Sequence, residues 1–462
     1  MTQNAATAPL AAVRRINPVV LYFFGALGGI LFGYDLGIIS GVLVVVSKLW
    51  DLGGFAKGVL TASLSAGAMI GAGLAARLTA GIGRRRTIMT AGAVVIVATL
   101  ACALSPGFGA LVACRTVLGL GIGLSSATVP TYISELAPSR IRGAMGALNQ
   151  IFIVSGILIA FLVSYWLQPD HLWRWMFAGA VVPAAILIAG LTFLPETPRW
   201  LLNAGQEEQA RAVLASTHSG ADDDIEAEVA AIREVIRLDA EQTYRLRDLG
   251  RKWVRPMLFV ALLLAVGQQF SGVNAINAYF PTMLIALGFT ASTALLSAIV
   301  LGVTKLAFTA WVVFVVDRWG RKPLLLIGNA VMAVTLAATG WVVLNVHDKG
   351  TLGALSVILL VLYLAGYELG WGAVVWVMMA EVFPLKARSA GMGVGAVVLW
   401  ASTGIITAVF PIMSDNNHLG IGKSMYVFAG INVLLFGLTK WLVPETSGRS
   451  LEQIELGLRE AA

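Results

Sequence analysis

An acidic residue stands inside the first long apolar stretch of the chain. Asp35 lies in GGILFGYDLGIISG, residues 28–41, among Gly, Ile, Leu, Phe, Tyr and Ser residues. A charged side chain at the centre of a bilayer costs roughly 2.5–3.5 kcal/mol on insertion scales, so an acid at such a place is a functional candidate. It needs either a partner of opposite charge or a proton.

Arg115, in a later apolar stretch, is the partner that we predict for Asp35. If the first span ends near residue 42 and the fourth begins near residue 109 at the same surface, both side chains lie roughly 10 Å below that surface. A carboxylate that is paired in one state and desolvated in another can take up and release a proton, which would make it a coupling group. A permanent structural ion pair is the alternative.

Amide side chains gather in a segment with the pattern of an interrupted helix. In AVGQQFSGVNAINAYFP, residues 265–281, Gln268, Gln269 and Asn274 stand beside the helix-breaking Gly272. An amide both donates and accepts hydrogen bonds, which suits a ligand rich in hydroxyl groups. Interhelical hydrogen bonding is the alternative role for amides inside a membrane.

Three further side chains are predicted at the same site. Gln150, in GALNQIFIVSG, offers another amide, while Trp376 and Trp400 offer ring faces for the apolar C–H side of a polyol. Tryptophans of membrane proteins usually lie in the interfacial belts. Both of these lie well inside their predicted spans, which favours ligand binding.

These residues belong to a chain whose composition is that of a membrane protein. Of its 462 residues 58% are hydrophobic and 12% are charged, with a mean hydropathy of +0.82, whereas a soluble chain is about 25% charged. Apolar stretches of about 20 residues can cross a bilayer as helices and are too long for barrel strands. Twelve spans are predicted, at 19–42, 57–79, 87–105, 109–131, 144–167, 173–194, 256–287, 290–316, 323–346, 352–378, 389–413 and 423–443.

The net charge of +7 follows the predicted topology. With the N-terminus in the cytoplasm, the inside segments hold most Arg and Lys residues, including those of 84–86 and 199–255, while the outside loops hold few. This is the positive-inside distribution of proteins that span a lipid bilayer. Membrane topology therefore accounts for the net positive charge, and no nucleic-acid partner is expected. We predict a multi-pass protein with both termini in the cytoplasm and no cleavable signal peptide.

The chain repeats itself after roughly 240 residues. Three motifs occur twice: SELAPSRIRGAMG (134–146) and AEVFPLKARSAGM (380–392), PETPRW (195–200) and PETSGR (444–449), and GIGRRR (81–86) and DRWGRK (317–322). Two parallel six-span halves are typical of the major facilitator superfamily. The predicted organisation is an N-terminal tail at 1–18, a six-helix bundle at 19–194, a cytoplasmic helical insert at 195–254, a second six-helix bundle at 255–443 and a C-terminal tail at 444–462.

The repeated loop motifs place acids and bases at helix ends on the predicted cytoplasmic side. Such groups can pair across neighbouring helices, cap helix ends and latch the two halves in one of two states. Topogenic charges without a moving role are the alternative. The predicted latch residues are Glu135, Arg142, Glu196, Arg199, Asp317, Arg321, Glu381, Arg388 and Glu445.

Seven motifs in register, from about residue 19 to 455, resemble those of the sugar porter family of the major facilitator superfamily. They are GRRRT, PTYISELAPSRIRG, PETPRWL, GQQFSGVNAINAYF, VDRWGRKPL, AEVFPLKAR and PETSGRSLEQIE. The resemblance implies sugar–proton symport, as in bacterial, fungal and plant members, or passive facilitation, as in animal members. It also implies that Asp35 carries the proton under the influence of Arg115. The implied sugar contacts are Phe32, Gln150, Gln268, Gln269, Asn274, Trp376 and Trp400.

The chain departs from the family pattern at several positions. Ala80 and Gly81 replace an acid and a base, which predicts a weaker latch in the first half. Lys305 stands where the family commonly has an Asn sugar ligand, and Glu368 is predicted at equal depth in the tenth span. Lys305 could pair permanently with Glu368, contact a hydroxyl or carboxylate of the substrate, or join the proton circuit. Further departures are Ala278, Leu399 and Thr403.

The sequence therefore predicts a secondary active transporter that carries a monosaccharide or related polyol with protons across a bacterial inner membrane by alternating access. A passive uniporter is the alternative, and a non-transporting sugar sensor is disfavoured because only a short tail follows Pro444. No enzymatic activity, cofactor or metal is expected, since the four His residues lie in predicted loops without ligand spacing. A monomer is expected to suffice for function. Cys102 and Cys114 are expected as free thiols, with a bridge as the alternative.

Overall fold

The computed structural model of the chain describes residues 18–137, 142–169, 171–217, 225–242, 249, 251, 254–372, 374–383, 385–415 and 417–446. This part of the chain is helical and contains no strand. Twelve of its helical segments are long and apolar enough to cross a membrane. The all-α class and the number of spans predicted from the sequence are confirmed.

Nine of the spans are single helices, and the sixth, seventh and tenth are each broken into two. A five-residue π-helical turn, Glu368–Gly372, lies between the two helices of the tenth span. The helices are α1 (Pro18–Leu49), α2 (Gly54–Ile82), α3 (Arg84–Ala103), α4 (Phe108–Leu136), α5 (Arg142–Leu167), α6 (Trp173–Ala178), α7 (Val181–Phe193), α8 (Pro198–Asn203), α9 (Glu207–Thr217), α10 (Ile225–Gln242), α11 (Arg255–Phe270), α12 (Val273–Ala286), α13 (Ala291–Trp319), α14 (Arg321–Asn345), α15 (Lys349–Tyr367), α16 (Val374–Val382), α17 (Leu385–Met413) and α18 (Gly420–Leu442).

Local sequence explains how several helices begin. Gly83 and Gly320 precede α3 and α14 at corresponding places in the two halves, with φ of +91° and +83°, which glycine adopts without strain. Asp348 caps α15, since its carboxylate accepts hydrogen bonds from the N–H (2.8 Å) and hydroxyl (2.7 Å) of Thr351. These bonds stabilise the ionised form and hold the pKa of Asp348 below its usual value.

The first helix is longer than the sequence predicted. α1 continues to Leu49 instead of ending near residue 42, because VLVVVSKL contains no glycine or proline to stop it. Asp35 therefore lies about four turns before the end of α1, whereas Arg115 lies about two turns after the start of α4. The helix ends are therefore no measure of the relative depth of these two residues, and their equal depth stays a prediction.

Two spans of the second half break at the level of the predicted site. α11 and α12 are separated at Gly272, whose φ is +105°, and the sequence predicted this break. The π-helical turn begins with Glu368 and was not predicted. Such turns are frequent at functional sites because they free backbone groups from the regular hydrogen-bond ladder. The breaks thus place the amides of the seventh span and Glu368 of the tenth span at irregular backbone.

Where it is described, the segment between the halves forms three short helices, α8, α9 and α10. Thr197 caps α8, and Glu207 in the first turn of α9 pairs with Arg211 of α9 (2.6 Å) and with Arg233 of α10. Arg237 pairs with Glu234 on the exposed surface of α10 and holds the pKa of that carboxyl below its usual value. Acidic residues in the first turns of α9 and α10 favour their start through the helix dipole.

The most extensive described contacts between the two halves are those of α2 with α17, α5 with α13, and α1 with α12. We call the end of the bundle with the turns at Gly83 and Gly320 the basic end, and the end with loops 50–53 and 414–419 the opposite end. At the opposite end, a methyl group on Gly54 would lie 2.7 Å from the carbonyl oxygen of Pro411 on α17. The absence of a side chain there lets the two backbones approach closely.

Tyr279 joins the halves at the same end of the bundle. Its hydroxyl oxygen lies 2.8 Å from Thr61 Oγ1 and 3.1 Å from the Lys57 carbonyl oxygen on α2, and 2.9 Å from the Thr407 carbonyl oxygen on α17. The phenol thus links α12 of the second half to α2 of the first half at a buried position. The described conformation is therefore closed at the opposite end.

Tyr279→Phe should weaken this closure. Loss of one buried hydrogen bond costs about 0.5–1.5 kcal/mol, so we expect the ratio of closed to open protein at the opposite end to fall roughly two- to tenfold. Spin labels at the exposed residues Phe55 and Lys349, on different halves, would report this as a larger population of long distances. Tyr426→Phe, on the outer side of α18, is the matched control. An unchanged distance distribution in Tyr279→Phe would show that the hydroxyl does not hold the halves together.

Candidate functional site

A cavity of about 60 Å³ lies between the two halves. All nine residues predicted to bind a substrate line it, namely Phe32, Gln150, Gln268, Gln269, Asn274, Lys305, Glu368, Trp376 and Trp400. Residues that are up to 368 positions apart in the sequence are therefore brought to one chamber.

The polar wall of the cavity comes mainly from the second half. The first half contributes aliphatic side chains of α1 and α5 together with Phe32, and Gln150 is the one polar lining side chain among its described residues. The polar or aromatic lining residues of the second half are Gln268, Gln269, Asn274, Asn277, Lys305, Tyr367, Glu368, Trp376, Trp400 and Thr403. A ligand with many hydroxyl groups would therefore form most of its hydrogen bonds with the second half.

The amides of the seventh span form a chain of hydrogen bonds. Asn274 Nδ2 donates to Gln269 Oε1 (2.5 Å), and Gln269 Nε2 donates to Gln268 Oε1 (3.2 Å). Gln268 Nε2 in turn donates to the carbonyl oxygen of Trp371 in the π-helical turn (2.7 Å). The sequence left interhelical hydrogen bonding and ligand binding as alternative roles for these amides. Gln268 both lines the cavity and bonds to another span. This series of hydrogen bonds fixes the orientations of the amides. Each amide still has unused hydrogen-bond capacity for a ligand.

Aromatic rings connect the two halves beside the cavity. The ring centres of Phe32 on α1 and Trp400 on α17 are 5.2 Å apart. Trp400 Nε1 also donates to Ser126 Oγ on α4, at 3.4 Å. Trp376, on α16, is only partly buried and presents a second indole to the cavity. Trp400 therefore lines the chamber and contacts the first half at the same time, so a movement of the halves must change its surroundings.

Lys305 and Glu368 form a buried ion pair in the cavity wall. Lys305 Nζ lies 3.3 Å from Glu368 Oε1, and the side chains are 4% and 1% exposed. Thr309, one turn after Lys305 on α13, donates its hydroxyl to Glu368 Oε2 (3.0 Å). Lys305 Nζ also lies 5.7 Å from the ring centre of Tyr367. The structure thus brings together the two residues that the sequence placed at equal depth.

Three lining residues with polar groups, Asn277, Tyr367 and Thr403, were not among the predicted site residues. Asn277 lies three positions after Asn274 on α12, a spacing that puts both on one helix face, so the sequence did carry a signal for it. Its Oδ1 is buried and accepts no hydrogen bond from any described residue. Tyr367 immediately precedes the π-helical turn. Its place in the wall depends on that turn, which no residue pattern indicated.

Asp35 and Arg115 are both buried in the first half, with 1% and 0% of their surfaces exposed. Arg115 Nε donates to the carbonyl oxygen of Leu60 (3.1 Å), and its guanidinium lies 5.7 Å from the ring centre of Phe177. The two charged groups interact electrostatically. Within the described residues, however, neither Asp35 oxygen nor either terminal nitrogen of Arg115 has a hydrogen-bond partner. The two groups are therefore not hydrogen-bonded to each other in the described conformation, and their pairing in another state stays a prediction.

Two glutamates of the predicted latch cap helices within their own halves. Glu196 accepts hydrogen bonds from the N–H groups of Arg84 (3.0 Å) and Arg85 (3.1 Å) at the start of α3. Glu445 accepts them from the N–H groups of Arg321 (3.1 Å) and Lys322 (2.9 Å) at the start of α14. A carboxylate at a helix N-terminus satisfies free N–H groups and complements the helix dipole. The repeat in the sequence is thus a repeat of helix caps.

The ion pairs seen at the basic end also join helices of one half. Glu135 of α4 pairs with Arg84 of α3 (3.0 Å), and Glu381 of α16 pairs with Arg321 of α14 (3.7 Å). Arg199 lies half-buried in α8. The side chains of Arg142, Asp317 and Arg388 lie outside the described residues. Whether these charges latch the halves to one another stays a prediction.

The family model described as sugar (and other) transporter matches residues 21–458 of the chain. The chain belongs to this sugar transporter family of the major facilitator superfamily. The probable metabolite transport protein CsbC of Bacillus subtilis is 40% identical to this sugar transporter over 96% of the chain and 94% of the relative. The glucose transporter GlcP of Staphylococcus epidermidis is 37% identical, over 96% of the chain and 98% of the relative.

A solved structure supports the same assignment. The proton:xylose symporter XylE of E. coli, bound to 6-bromo-6-deoxy-D-glucose, superposes on this sugar transporter with a TM-score of 0.78 at 28% identity. The match covers 96% of the chain and 99% of XylE. The protein is therefore a multi-pass membrane transporter and not an enzyme. Within the described residues of this sugar transporter, no group of His, Cys, Asp and Glu could hold a metal ion, and Cys102 and Cys114 are free thiols.

Proposed function

We propose that this sugar transporter is a proton-coupled symporter that carries a monosaccharide or related polyol into the cell by alternating access. The basic end and both termini face the cytoplasm of a bacterial cell, and the opposite end faces outward. Asp35 binds the proton, and Arg115 is the partner whose distance changes with the state of the transporter. The sugar binds in the cavity between the halves.

The buried and unpartnered carboxylate of Asp35 is the observation on which this proposal rests. A charged carboxylate inside a membrane protein is stable only with a nearby cation, and a neutral one only with a bound proton. Arg115 interacts with Asp35 electrostatically but does not contact it. A rearrangement that brings them together would favour release of the proton, and one that separates them would favour uptake. Such a dependence on state is what coupling requires.

The position of Asp35 in α1 supports a link to the substrate. Phe32 and Leu36, which flank Asp35 on the same helix, both line the cavity. A ligand that contacts α1 therefore contacts the helix that carries the carboxylate. Phe32 also contacts Trp400 of the second half, so α1 is in contact with both the cavity and the second half.

The closure of the bundle at the opposite end supports alternating access. Tyr279 and the close approach of Gly54 to Pro411 hold the two halves together there. A sugar from outside can reach the cavity only if these contacts open, and movement of one half against the other is the simplest route. Amides, an ion pair and indole rings on the wall then supply the hydrogen bonds and apolar contacts that a sugar needs.

Uptake into proteoliposomes tests this proposal. With the outside one pH unit more acidic than the lumen, we expect accumulation of D-xylose, D-glucose or D-galactose by up to about tenfold for one proton per sugar. A protonophore should abolish the accumulation and leave equilibration intact. Uptake that only equilibrates, and that the protonophore does not change, would identify a passive uniporter instead.

A further inference from the structure

The Lys305–Glu368 pair has hydrogen-bond capacity that the protein does not use. Thr309 fixes one oxygen of Glu368, and the other, Oε1, has no hydrogen-bond partner within the described residues although Lys305 Nζ lies 3.3 Å away. Lys305 has three N–H groups, and no hydrogen bond from them to a described residue is seen. Both residues line the cavity. Glu368 Oε1 is buried in the described conformation, so a ligand must part the pair to use its donors and acceptor.

A hydroxyl group is the ligand group that fits such a pair. It can accept a hydrogen bond from the Lys305 ammonium and at the same time donate one to Glu368 Oε1. A carboxylate can only accept, so it would satisfy Lys305 and leave Glu368 facing a like charge. Hydrogen bonds to charged groups are among the stronger ones in proteins. The pair is therefore suited to a neutral polyol.

The charge of the cavity leads to the same conclusion. Among the described residues, Lys305 and Glu368 are the only charged ones that line it, and together they add no net charge. An anionic ligand would lose its hydration on entry and find the positive charge of Lys305 already compensated at 3.3 Å. Removal of one partner from such a buried pair leaves the other charge uncompensated. Specificity here would arise from repulsion of the wrong ligand as well as attraction of the right one.

We infer that the Lys305–Glu368 pair selects neutral sugars and excludes sugar acids, with Glu368 as the residue that rejects a ligand carboxylate. The inference rests on the proposed function, since it takes the cavity as the sugar site. It also explains how a lysine can stand at this position without making the transporter specific for anions. Neutralisation of Glu368 alone would then convert the cavity into a cationic site.

Binding measurements on the purified full-length protein test this inference. The probes are D-glucose and D-galactose, each compared with its uronate, which differs from the hexose at C6. The wild-type protein is expected to bind each uronate at least tenfold more weakly than the hexose. Glu368→Gln is expected to raise the ratio of uronate to hexose affinity at least tenfold, because Lys305 loses its counter-charge. Glu208→Gln, on the exposed face of α9, is the matched control and should leave the ratio unchanged.

Three results would overturn the inference. The first is that uronates bind the wild-type protein as tightly as hexoses do. The second is that the ratio of uronate to hexose affinity in a folded Glu368→Gln protein stays within twofold of the wild-type ratio. The variant Lys305→Gln, which keeps the carboxylate, must still exclude uronates, and uronate binding by it would contradict the role given to Glu368. Failure of every hexose and uronate to bind the wild-type protein would instead remove the proposed function, and this inference with it.

Discussion

Replacement of Asp35 by Asn is expected to abolish the accumulation of sugar against a gradient while leaving exchange of sugar across the membrane intact. Asn has the shape of a protonated aspartate but cannot take up or release a proton. The ratio of internal to external sugar under a one-unit pH gradient should fall from up to about tenfold to one. Accumulation and counterflow in proteoliposomes, measured side by side, separate loss of coupling from loss of binding.

Asp51→Asn is the matched control for this experiment. Asp51 is exposed in the turn after α1, with φ of +47°, a conformation that Asn adopts readily. The control variant should accumulate sugar as the wild-type protein does. Accumulation by Asp35→Asn that reaches half the wild-type ratio or more would contradict the assignment of the proton to Asp35.

Replacement of Gln269 by Leu is expected to weaken sugar binding by at least tenfold. Gln269 is the middle member of the amide chain, accepting from Asn274 and donating to Gln268. The substitution removes the hydrogen-bonding groups of one wall residue and leaves the buried Gln268 and the half-buried Asn274 without their partner. Each buried polar group left unsatisfied costs about 1–3 kcal/mol, and the ligand loses the bonds that the oriented amides offered. Isothermal titration of purified protein with D-glucose or D-xylose would measure the loss.

A buried amide away from the cavity provides the control. Asn329, in α14, is fully buried and does not line the chamber. Asn329→Leu should change the unfolding temperature and leave the dissociation constant for sugar within about twofold. If the two substitutions weakened sugar binding equally, the amide chain would act on stability alone and the seventh span would not form the sugar site.

The number of spans was predictable because a bilayer accepts few structures. Each span must satisfy its backbone internally over about 20 apolar residues, so hydropathy alone locates the helices. The end of α1 was missed, because α1 continues through VLVVVSKL to Leu49 where the sequence predicted an end near residue 42. The depth comparison of Asp35 with Arg115 had relied on that end, so it stays a prediction.

The cavity was predictable where a motif fixed several residues together. Gln268, Gln269 and Asn274 follow one another around a glycine break, and Lys305 and Glu368 were matched by counting residues into straight spans. Tyr367 was missed because a π-helical turn rotates the backbone at that point. The sequence did not predict the partners of Glu135 and Glu196. The repeat located both acids at the basic end, but it did not indicate that Glu135 pairs with Arg84 or that Glu196 caps α3.

Direct detection of proton movement with sugar is the sharpest test of coupling. Proteoliposomes carrying a pH-sensitive dye in the lumen, with the membrane potential clamped to zero, receive an inward gradient of D-xylose, D-glucose or D-galactose. Our account predicts acidification of the lumen in fixed proportion to the sugar that enters, and no acidification with the Asp35→Asn protein. Entry of sugar at the wild-type rate with no change in luminal pH would contradict it.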